Sequence, residues 1–462
     1  MNPGIPVSQS FRQLPLNEAL LQNLDSLEYH SMTPVQAAAL PDVLAGHDII
    51  AKAKTGSGKT VAFALGLLQP LNVRYFSPQA LVLCPTRELA DQVAKEIRTL
   101  ARTMPNVKVL TLCGGQPLGP QLGSLEHGAH IVVGTPGRIE DLLERGKLDI
   151  SKIRTLVLDE ADRMLEMGFR DSLDNILAHT PPKRQTLLFS ATYPENVKAL
   201  SAQFQREPKS ITVESSHSQS SIEQIYYQVE KEQRLEALLA VLSQQQAESC
   251  VIFCATRQDC NEVADALADA GHSVKALHGE MEQKERDQVL VTFANRSCRI
   301  LVATDVAARG LDIKELALVI NYHLARDPEV HVHRIGRTGR SGHQGIAISL
   351  FTAREQYKLD AITDYTGQTP LVEDLPGHSG EEPEPAPMVT LQFDGGKKQK
   401  LRPGDILGAL TGDAAIPGEA IGKINVFDFC AYVAIERSYV RNAQSRISQC
   451  KIKGKSFRVR KV

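Results

Sequence analysis

Ala53-Lys54-Thr55-Gly56-Ser57-Gly58-Lys59-Thr60 follows the short apolar run Asp48–Ala51, and further along Leu156-Val157-Leu158 runs into Asp159-Glu160-Ala161-Asp162. A glycine-rich turn between a strand and a helix wraps phosphate in backbone N–H groups. In such a turn Lys59 meets the β/γ-phosphates, and the Thr60 hydroxyl reaches Mg²⁺. Ala53 stands where the general pattern has its first glycine. Carboxylates at the carboxyl end of a strand can hold the water shell of the metal and activate an attacking water. Either stretch alone fits a bland reading, a tight turn or a solvated acidic pair. Together, and in this order, they predict nucleotide hydrolysis.

Working outward, short apolar strands alternate with helical segments. Strands are expected at Asp48–Ala51, Ala80–Cys84, Val107–Leu112, Ile131–Gly134, Thr155–Leu158, Gln185–Ser190 and Ser210–Val213, with an amphipathic helix over Glu88–Ala101. That alternation predicts a doubly wound parallel sheet, whose ligands bind beyond the carboxyl ends of its strands. The P-loop, Pro85-Thr86-Arg87, Thr135-Pro136-Gly137-Arg138, the 159–162 run and Ser190-Ala191-Thr192 all follow predicted strands and so share one rim. The polar run 214–221 reads as a linker. A second α/β unit without its own P-loop follows, with strands expected at Cys250–Cys254, Val274–Leu277, Ile300–Ala303, Ala317–Asn321 and Gly345–Phe351.

The segment 373–387 is rich in proline and acid and reads as an extended linker. Beyond it the order is β-α-β-β-α-β, a split βαβ fold. Its strands are expected at Val389–Phe393, Gly422–Val426, Cys430–Ile435 and Ser456–Arg460, and its helices at Pro403–Leu410 and Ser438–Ser448. The expected domains are 1–213, 214–372 and 388–462.

The composition is that of a soluble globular chain, with 42% hydrophobic and 23% charged residues. No membrane-length apolar run and no secretory signal is present, so a cytoplasmic protein is expected. The eight cysteines form no CxxC pair, and no metal beyond Mg²⁺ is expected. The net charge of −2 hides an asymmetry: residues 388–462 carry eight Lys and six Arg against six acids, a net +8. A basic module on an acidic body points to a polyanionic partner, nucleic acid first.

The ordered set Gln36, AKTGSGKT, Pro85-Thr86-Arg87-Glu88-Leu89, Gly114-Gly115, TPGR, DEAD, SAT, Thr304-Asp305-Val306-Ala307-Ala308-Arg309-Gly310-Leu311-Asp312 and His333-Arg334-Ile335-Gly336-Arg337-Thr338-Gly339-Arg340 resembles the DEAD-box RNA helicase family. It covers roughly residues 1–370. The resemblance implies two tandem RecA-like domains that close over ATP, Mg²⁺ and single-stranded RNA. It implies that Lys54, Thr55, Gly56, Ser57, Gly58, Lys59 and Thr60 cradle the phosphates. Thr60 and Asp159 would serve the metal, and Glu160 would orient and deprotonate the water. Arg337 and Arg340 would act as arginine fingers, and Asp312 would contact the ribose. Gln36, with Tyr29 and Phe11, would read and stack adenine.

On the same grounds RNA would meet Pro85, Thr86, Arg87, Gly115, Thr135, Pro136, Gly137 and Arg138 on the first domain. On the second it would meet Thr256, Arg257, Gln283, Arg286, Thr304, Asp305 and Arg309. Ser190 and Thr192 would bridge to Asp162 and relay nucleotide state to RNA.

The last module resembles an RNA-recognition motif with unusual strand residues. Cys430 and Ile435 on the third strand, and Leu391 on the first, are taken to occupy places where aromatics would stack bases. Two lysine clusters, Lys397, Lys398, Lys400 and Lys451, Lys453, Lys455, remain for phosphate contact. The family members with such a module imply 23S rRNA and large-subunit assembly intermediates as partners, and a monomeric helicase. A DNA translocase and a non-enzymatic RNA clamp are the rival readings. The Gln36 segment and the DEAD, SAT and 333–340 set argue against the first, and RNA-only stimulation of ATP hydrolysis would discriminate it; the intact Lys59, Glu160, Arg337 and Arg340 argue against the second.

Overall fold

A computed structural model describes residues 10–53, 57–212, 222–305, 316–339, 344–377, 380–412 and 416–462. Lys54, Thr55, Gly56, Arg309, Asp312 and Arg340 lie outside the described residues. The chain divides into two compact units.

In the first unit, seven described strands form one parallel sheet. They are β1 (Ile49–Lys52), β2 (Ala80–Leu83), β3 (Val109–Leu112), β4 (Ile131–Gly134), β5 (Thr155–Asp159), β6 (Gln185–Ser190) and β7 (Lys209–Thr212), in the order β3-β4-β2-β5-β6-β1-β7. The strands read as continuous apolar runs because helices cover both faces. Leu81, Leu83, Leu156, Leu158 and Leu188 fill the core on one side. Val82, Val157, Leu187 and Phe189, their neighbours in the pleat, fill the core on the other.

The second unit holds a parallel sheet of β8 (Ile222–Gln228), β9 (Cys250–Cys254), β10 (Val274–Leu277), β11 (Ile300–Thr304), β12 (Leu318–Asn321), β13 (Gly345–Phe351) and β14 (Leu371–Glu373). Its order is β10-β11-β9-β12-β13-β8-β14. Counted from its own first strand, this repeats the order of the first sheet. β8 and β14 are additions to the expected set. Ile222–Gln228 interleaves Glu223 and Gln224 with apolar residues, and the three residues of β14 are exposed on the sheet's edge. Neither shows the apolar run that marks an inner strand.

An ion pair between a buried arginine and a half-buried glutamate anchors this unit. Arg234 and Glu355 pair through Nη2 and Oε2, while Arg234 Nη1 donates to the Tyr322 carbonyl at 2.7 Å. Burial opposes the Glu355 charge, but the Arg234 hydrogen bond and charge, with Thr352 and Lys358, outweigh it and lower its pKa from 4.5 to about 2. Arg234→Met leaves that carboxylate short of its main partner. It should destabilise the unit by about 3 kcal/mol at neutral pH. The folded pKa is depressed, so the pair's contribution is full above pH 4.5 and fades as pH falls toward 2. The gap in melting temperature between variant and parent should narrow over that window. A gap that is absent at pH 7, or constant with pH, would contradict this account.

The same unit carries an antiparallel four-stranded sheet: β15 (Met388–Phe393), β16 (Ile421–Val426), β17 (Ala431–Glu436) and β18 (Val459–Lys461), in the order β16-β17-β15-β18. Helices Pro403–Thr411 and Val440–Gln449 cover one face. The structure corrects the expected stacking places. Leu391 and Ile435 point into the core under those helices. The opposite face carries Thr390, Gln392, Tyr432 and Ala434, one residue out of register with the expectation.

That opposite face is itself buried. Asn295 Nδ2 donates to Thr390 Oγ1 at 3.2 Å, and Ser297 Oγ lies 2.7 Å from the same hydroxyl. The face therefore packs on the end of helix Gln283–Ala294 and the turn that follows it. The segment expected to be an extended linker is pinned as a strap. Arg299 Nη2 meets Glu384 Oε2 at 2.6 Å, Ala386 is buried, and Arg437 Nε donates to the Ala386 carbonyl at 2.7 Å.

Candidate functional site

The P-loop follows β1, and its described part is shaped by the segment before the second helix. Thr33-Pro34-Val35-Gln36 opens helix Pro34–Leu44, with Pro34 in the first turn, where its missing N–H costs nothing. Gln36 is buried and uses its amide both ways. Its Oε1 accepts from Thr33 N at 2.8 Å, and its Nε2 donates to the Gly58 carbonyl at 3.0 Å. Thr33 Oγ1 donates to the Ser57 carbonyl at 2.8 Å. Gly58 has φ +90°, and a side chain there would meet Gln36 Nε2 at 2.5 Å. Gln36 and Thr33 thus clamp the loop, and the amide keeps one donor and one acceptor position for another contact. Phe11 is buried in the first core. Tyr29 is half-buried and donates to Glu96 Oε1 at 3.1 Å, and burial, with Glu96, raises its phenol to about 12.

Lys59 begins the helix after the P-loop and is buried with Asp159 and Glu160. Its Nζ lies 2.8 Å from Asp159 Oδ1 and 3.9 Å from Glu160 Oε1. Burial opposes the ammonium charge, but Asp159, Glu160 and Asp162 outweigh it and hold its pKa above the ordinary value. Burial pushes the Asp159 carboxyl up, Lys59 pulls against it, and Glu160 adds to the rise. Glu160 sits at φ +54°, ψ 54°, a left-handed backbone that costs a non-glycine residue about 1–3 kcal/mol. That strain turns the chain sharply from β5 into helix Ala161–Glu166.

Asp162 joins two strand ends. Its Oδ2 accepts from Thr192 N at 2.9 Å and Thr192 Oγ1 at 2.8 Å, and its backbone N–H donates to Ser190 Oγ at 3.3 Å.

This cluster suits a metal–nucleotide. Among the described residues, Ser57 Oγ, Lys59 Nζ and both Asp159 carboxylate oxygens are buried without a well-formed hydrogen bond, the close Lys59–Asp159 approach included. Phosphate oxygens are acceptors for the first two, and a hydrated divalent cation supplies donors to the carboxylate.

The other half of the same carboxyl rim gathers the residues after β2, β3 and β4. Thr86 caps helix Arg87–Leu100 through Leu89 N at 3.3 Å. Pro85 is buried beside it and Pro136 is buried at the start of helix Pro136–Glu144. Gly114 N donates to Thr135 Oγ1 at 3.3 Å, Gly115 has φ +71°, and Gly137 is exposed. Arg138 Nη2 donates to the Gln116 carbonyl at 3.1 Å, and the Gln116 side-chain oxygen, turned toward Arg87, accepts from its Nε and Nη2 at 3.0 Å each. Gln116 thus ties the two predicted arginines together. Its place directly after Gly114-Gly115 was the available signal.

The second sheet offers the matching rim after β9, β10 and β11. Thr256 caps helix Arg257–Asp269 in a reciprocal box with Asp259. Arg257 pairs with Glu280, Gln283 Nε2 donates to Asp287 Oδ1 at 2.9 Å, and Arg286 Nη1 donates to the His278 carbonyl at 3.1 Å. Thr304 ends β11.

The next residue, Asp305, is gripped by Arg334, which sequence reasoning passed over. Arg334 Nε and Nη2 each donate to the Asp305 carboxylate at 2.7 Å, and Nη1 donates to Asn321 Oδ1 and the His323 carbonyl. Its position three residues before Arg337, on the face of helix Pro328–Ile335 that turns inward, was the missed signal. Arg337 is buried just beyond that helix, its carbonyl accepting from Leu316 N at 3.2 Å.

In the antiparallel module, Lys397, Lys398, Lys400, Lys451, Lys453 and Lys455 are all exposed. The two clusters meet where Lys453 Nζ donates to the Lys400 carbonyl at 3.1 Å.

The comparisons with known proteins agree with this geometry. Residues 33–200 match the DEAD/DEAH box helicase family, 230–342 the helicase conserved C-terminal domain, and 390–461 the DbpA RNA binding domain. The chain is 53% identical to the ATP-dependent RNA helicase DbpA of Escherichia coli over 96% of this chain and 97% of that protein. It is 37% identical to the Bacillus subtilis DbpA over 98% and 99%. Among solved structures it resembles S. cerevisiae Dbp5 bound to RNA and ADP BeF3, with a TM-score of 0.73 and 30% identity over 80% of this chain and 96% of that one. The chain therefore belongs to the DEAD-box ATP-dependent RNA helicases, in their DbpA branch.

Proposed function

We propose that this helicase couples ATP hydrolysis, with Mg²⁺, to local melting of short duplexes in 23S rRNA during assembly of the large ribosomal subunit, acting as a cytoplasmic monomer. The observation that carries the reading is the buried Lys59–Asp159–Glu160 cluster, tied through Asp162 to Ser190 and Thr192, on a chain that ends in a DbpA RNA binding domain. No helix among the described residues is long and apolar enough to cross a membrane.

In this reading Lys54, Thr55, Gly56, Ser57, Gly58, Lys59 and Thr60 hold the ATP phosphates. Thr60 and Asp159 hold Mg²⁺, which supplies charge neutralisation when bound. Glu160 accepts the proton of the attacking water. Arg337 and Arg340 bring positive charge to the γ-phosphate in the active state, and Asp312 touches the ribose. Gln36, with Tyr29 and Phe11, serves the base. The Asp162 link carries the state of the nucleotide toward the RNA rim. The rim residues of both sheets contact phosphate and ribose, which carry no sequence information. The similar protein Dbp5 is solved bound to both RNA and ADP BeF3, the two kinds of ligand this reading needs. Sequence preference then falls to the lysine-bearing module.

The test is ATP hydrolysis by the full chain against a 23S rRNA fragment, unrelated RNA and DNA. The fragment should stimulate at least tenfold below the concentration that unrelated RNA needs, roughly the gain of one or two specific contacts, and DNA should not stimulate. Equal stimulation by both RNAs would remove 23S rRNA as the target. Stimulation by DNA would favour a translocase, and no stimulation by any RNA would favour a clamp.

A further inference from the structure

RNA-recognition modules stack bases on aromatic side chains of their open sheet. Here that sheet is closed. Thr390, Gln392, Tyr432 and Ala434 are buried where the module packs on the second unit's helix Gln283–Ala294 and its following turn. The other aromatics of the module are also spent on packing. Phe393 lies in the core, Tyr439 and Phe457 pack against it, and Phe427 meets Tyr432 edge-on at 5.6 Å.

Phe429 is different. It is 69% exposed, in the turn between β16 and β17. An exposed ring gains nothing for folding, yet this turn is held firmly. Phe427 N donates to the Cys430 carbonyl at 2.8 Å, closing it. Lys397 N donates to the Phe427 carbonyl at 2.8 Å and Lys398 N to the Asp428 carbonyl at 2.9 Å. A side chain at Gly396 would strike the Phe427 carbonyl oxygen at 2.1 Å, so glycine is needed for the two loops to meet. The ring is thus mounted on a rigid turn beside two exposed lysines. The turn leads into β17, whose buried face packs at the end of helix Gln283–Ala294, the helix that carries Gln283 and Arg286.

We propose that Phe429 is a base-stacking platform for single-stranded RNA, catching an unpaired nucleotide between the module's Lys397-Lys398 loop and the RNA rim of the second sheet. The inference rests on the RNA-helicase reading and names a recognition residue within it. A phenyl ring stacks with any base, and the flanking lysines neutralise the adjoining phosphates. The residue would hold the strand that leaves the module-bound RNA for the rim.

The chain contains no tryptophan, so Phe429→Trp in the full-length protein places the single tryptophan of the chain at the site, where it is excited selectively over the tyrosines. The probes are a 23S rRNA fragment with a single-stranded flank and the same fragment with that flank paired. The flanked RNA should quench the tryptophan, and the paired RNA should quench it far less. Phe429→Ala should weaken binding of the flanked RNA about tenfold, and Phe429→Tyr should restore it. Melting curves of all three variants should overlay the parent, because the ring has no core packing to lose. Absence of quenching, or full affinity in Phe429→Ala, would overturn the proposal. A parent protein that binds the flanked RNA without RNA-stimulated ATP hydrolysis would instead remove the helicase reading and leave the stacking site standing.

Discussion

Replacing Glu160 with glutamine is expected to slow RNA-stimulated ATP hydrolysis by about 10²–10⁴-fold while ATP and RNA still bind. The amide keeps the shape of the carboxylate but cannot take a proton. Lys59 keeps its nearer carboxylate, Asp159 at 2.8 Å, against 3.9 Å for Glu160. Thr192 and Ser190 attach to Asp162, not to Glu160, so the link between strand ends survives. The left-handed backbone at position 160 is tolerated by glutamine about as well as by glutamate. Single-turnover hydrolysis and RNA affinity in the presence of ATP measure the two halves of the prediction. Loss of RNA binding along with turnover would assign Glu160 a structural role and leave the proton acceptor unassigned.

The second large effect concerns Arg337. A planar guanidinium grips phosphate oxygens with a fork that an ammonium lacks, and arginine fingers contribute about 10³ or more in rate. Arg337→Lys should therefore lower RNA-stimulated hydrolysis by about that factor, with nucleotide affinity in the absence of RNA changed little. Arg340→Ala should act in the same direction. The backbone contacts of Arg337, its carbonyl accepting from Leu316 N at 3.2 Å and its N–H donating to the Arg334 carbonyl at 3.2 Å, are ones the substitution keeps. Arg334 makes a useful contrast. It is committed to Asp305, Asn321 and His323, and its loss should appear first as a lower melting temperature. Were Arg337→Lys to lose RNA-free nucleotide binding in proportion to hydrolysis, Arg337 would be a ground-state binding group instead of a transition-state one.

Much of this protein is written in local pattern. Apolar runs such as Leu81-Val82-Leu83 and Leu156-Val157-Leu158 announce strands covered on both sides, and the motifs that follow them announce the rim where chemistry gathers. The cysteine-bounded run Cys250–Cys254 is a strand from end to end, as its apolar content predicts. These features are legible because backbone periodicity and phosphate-binding turns depend on residues near in sequence. Strands β8 and β14 are less legible: β8 mixes Glu223, Gln224 and Gln228 into its apolar residues, and β14 is three exposed residues at the sheet's edge.

What only the tertiary structure decided is where surfaces from distant segments meet. A period of two says that Thr390 and Leu391 point opposite ways, but not which of them faces the helices, nor that the other face finds a second partner. That answer lies in Asn295 and Ser297, more than ninety residues upstream of Thr390. Gln36 turns its amide to the P-loop and Gln116 joins Arg87 to Arg138 for the same reason: each contact exists only after the chain has folded back on itself. Sequence determined the family, the inner apolar strands and the chemical groups. Packing between distant elements decided which groups are held, which are buried, and that Phe429 stays in water.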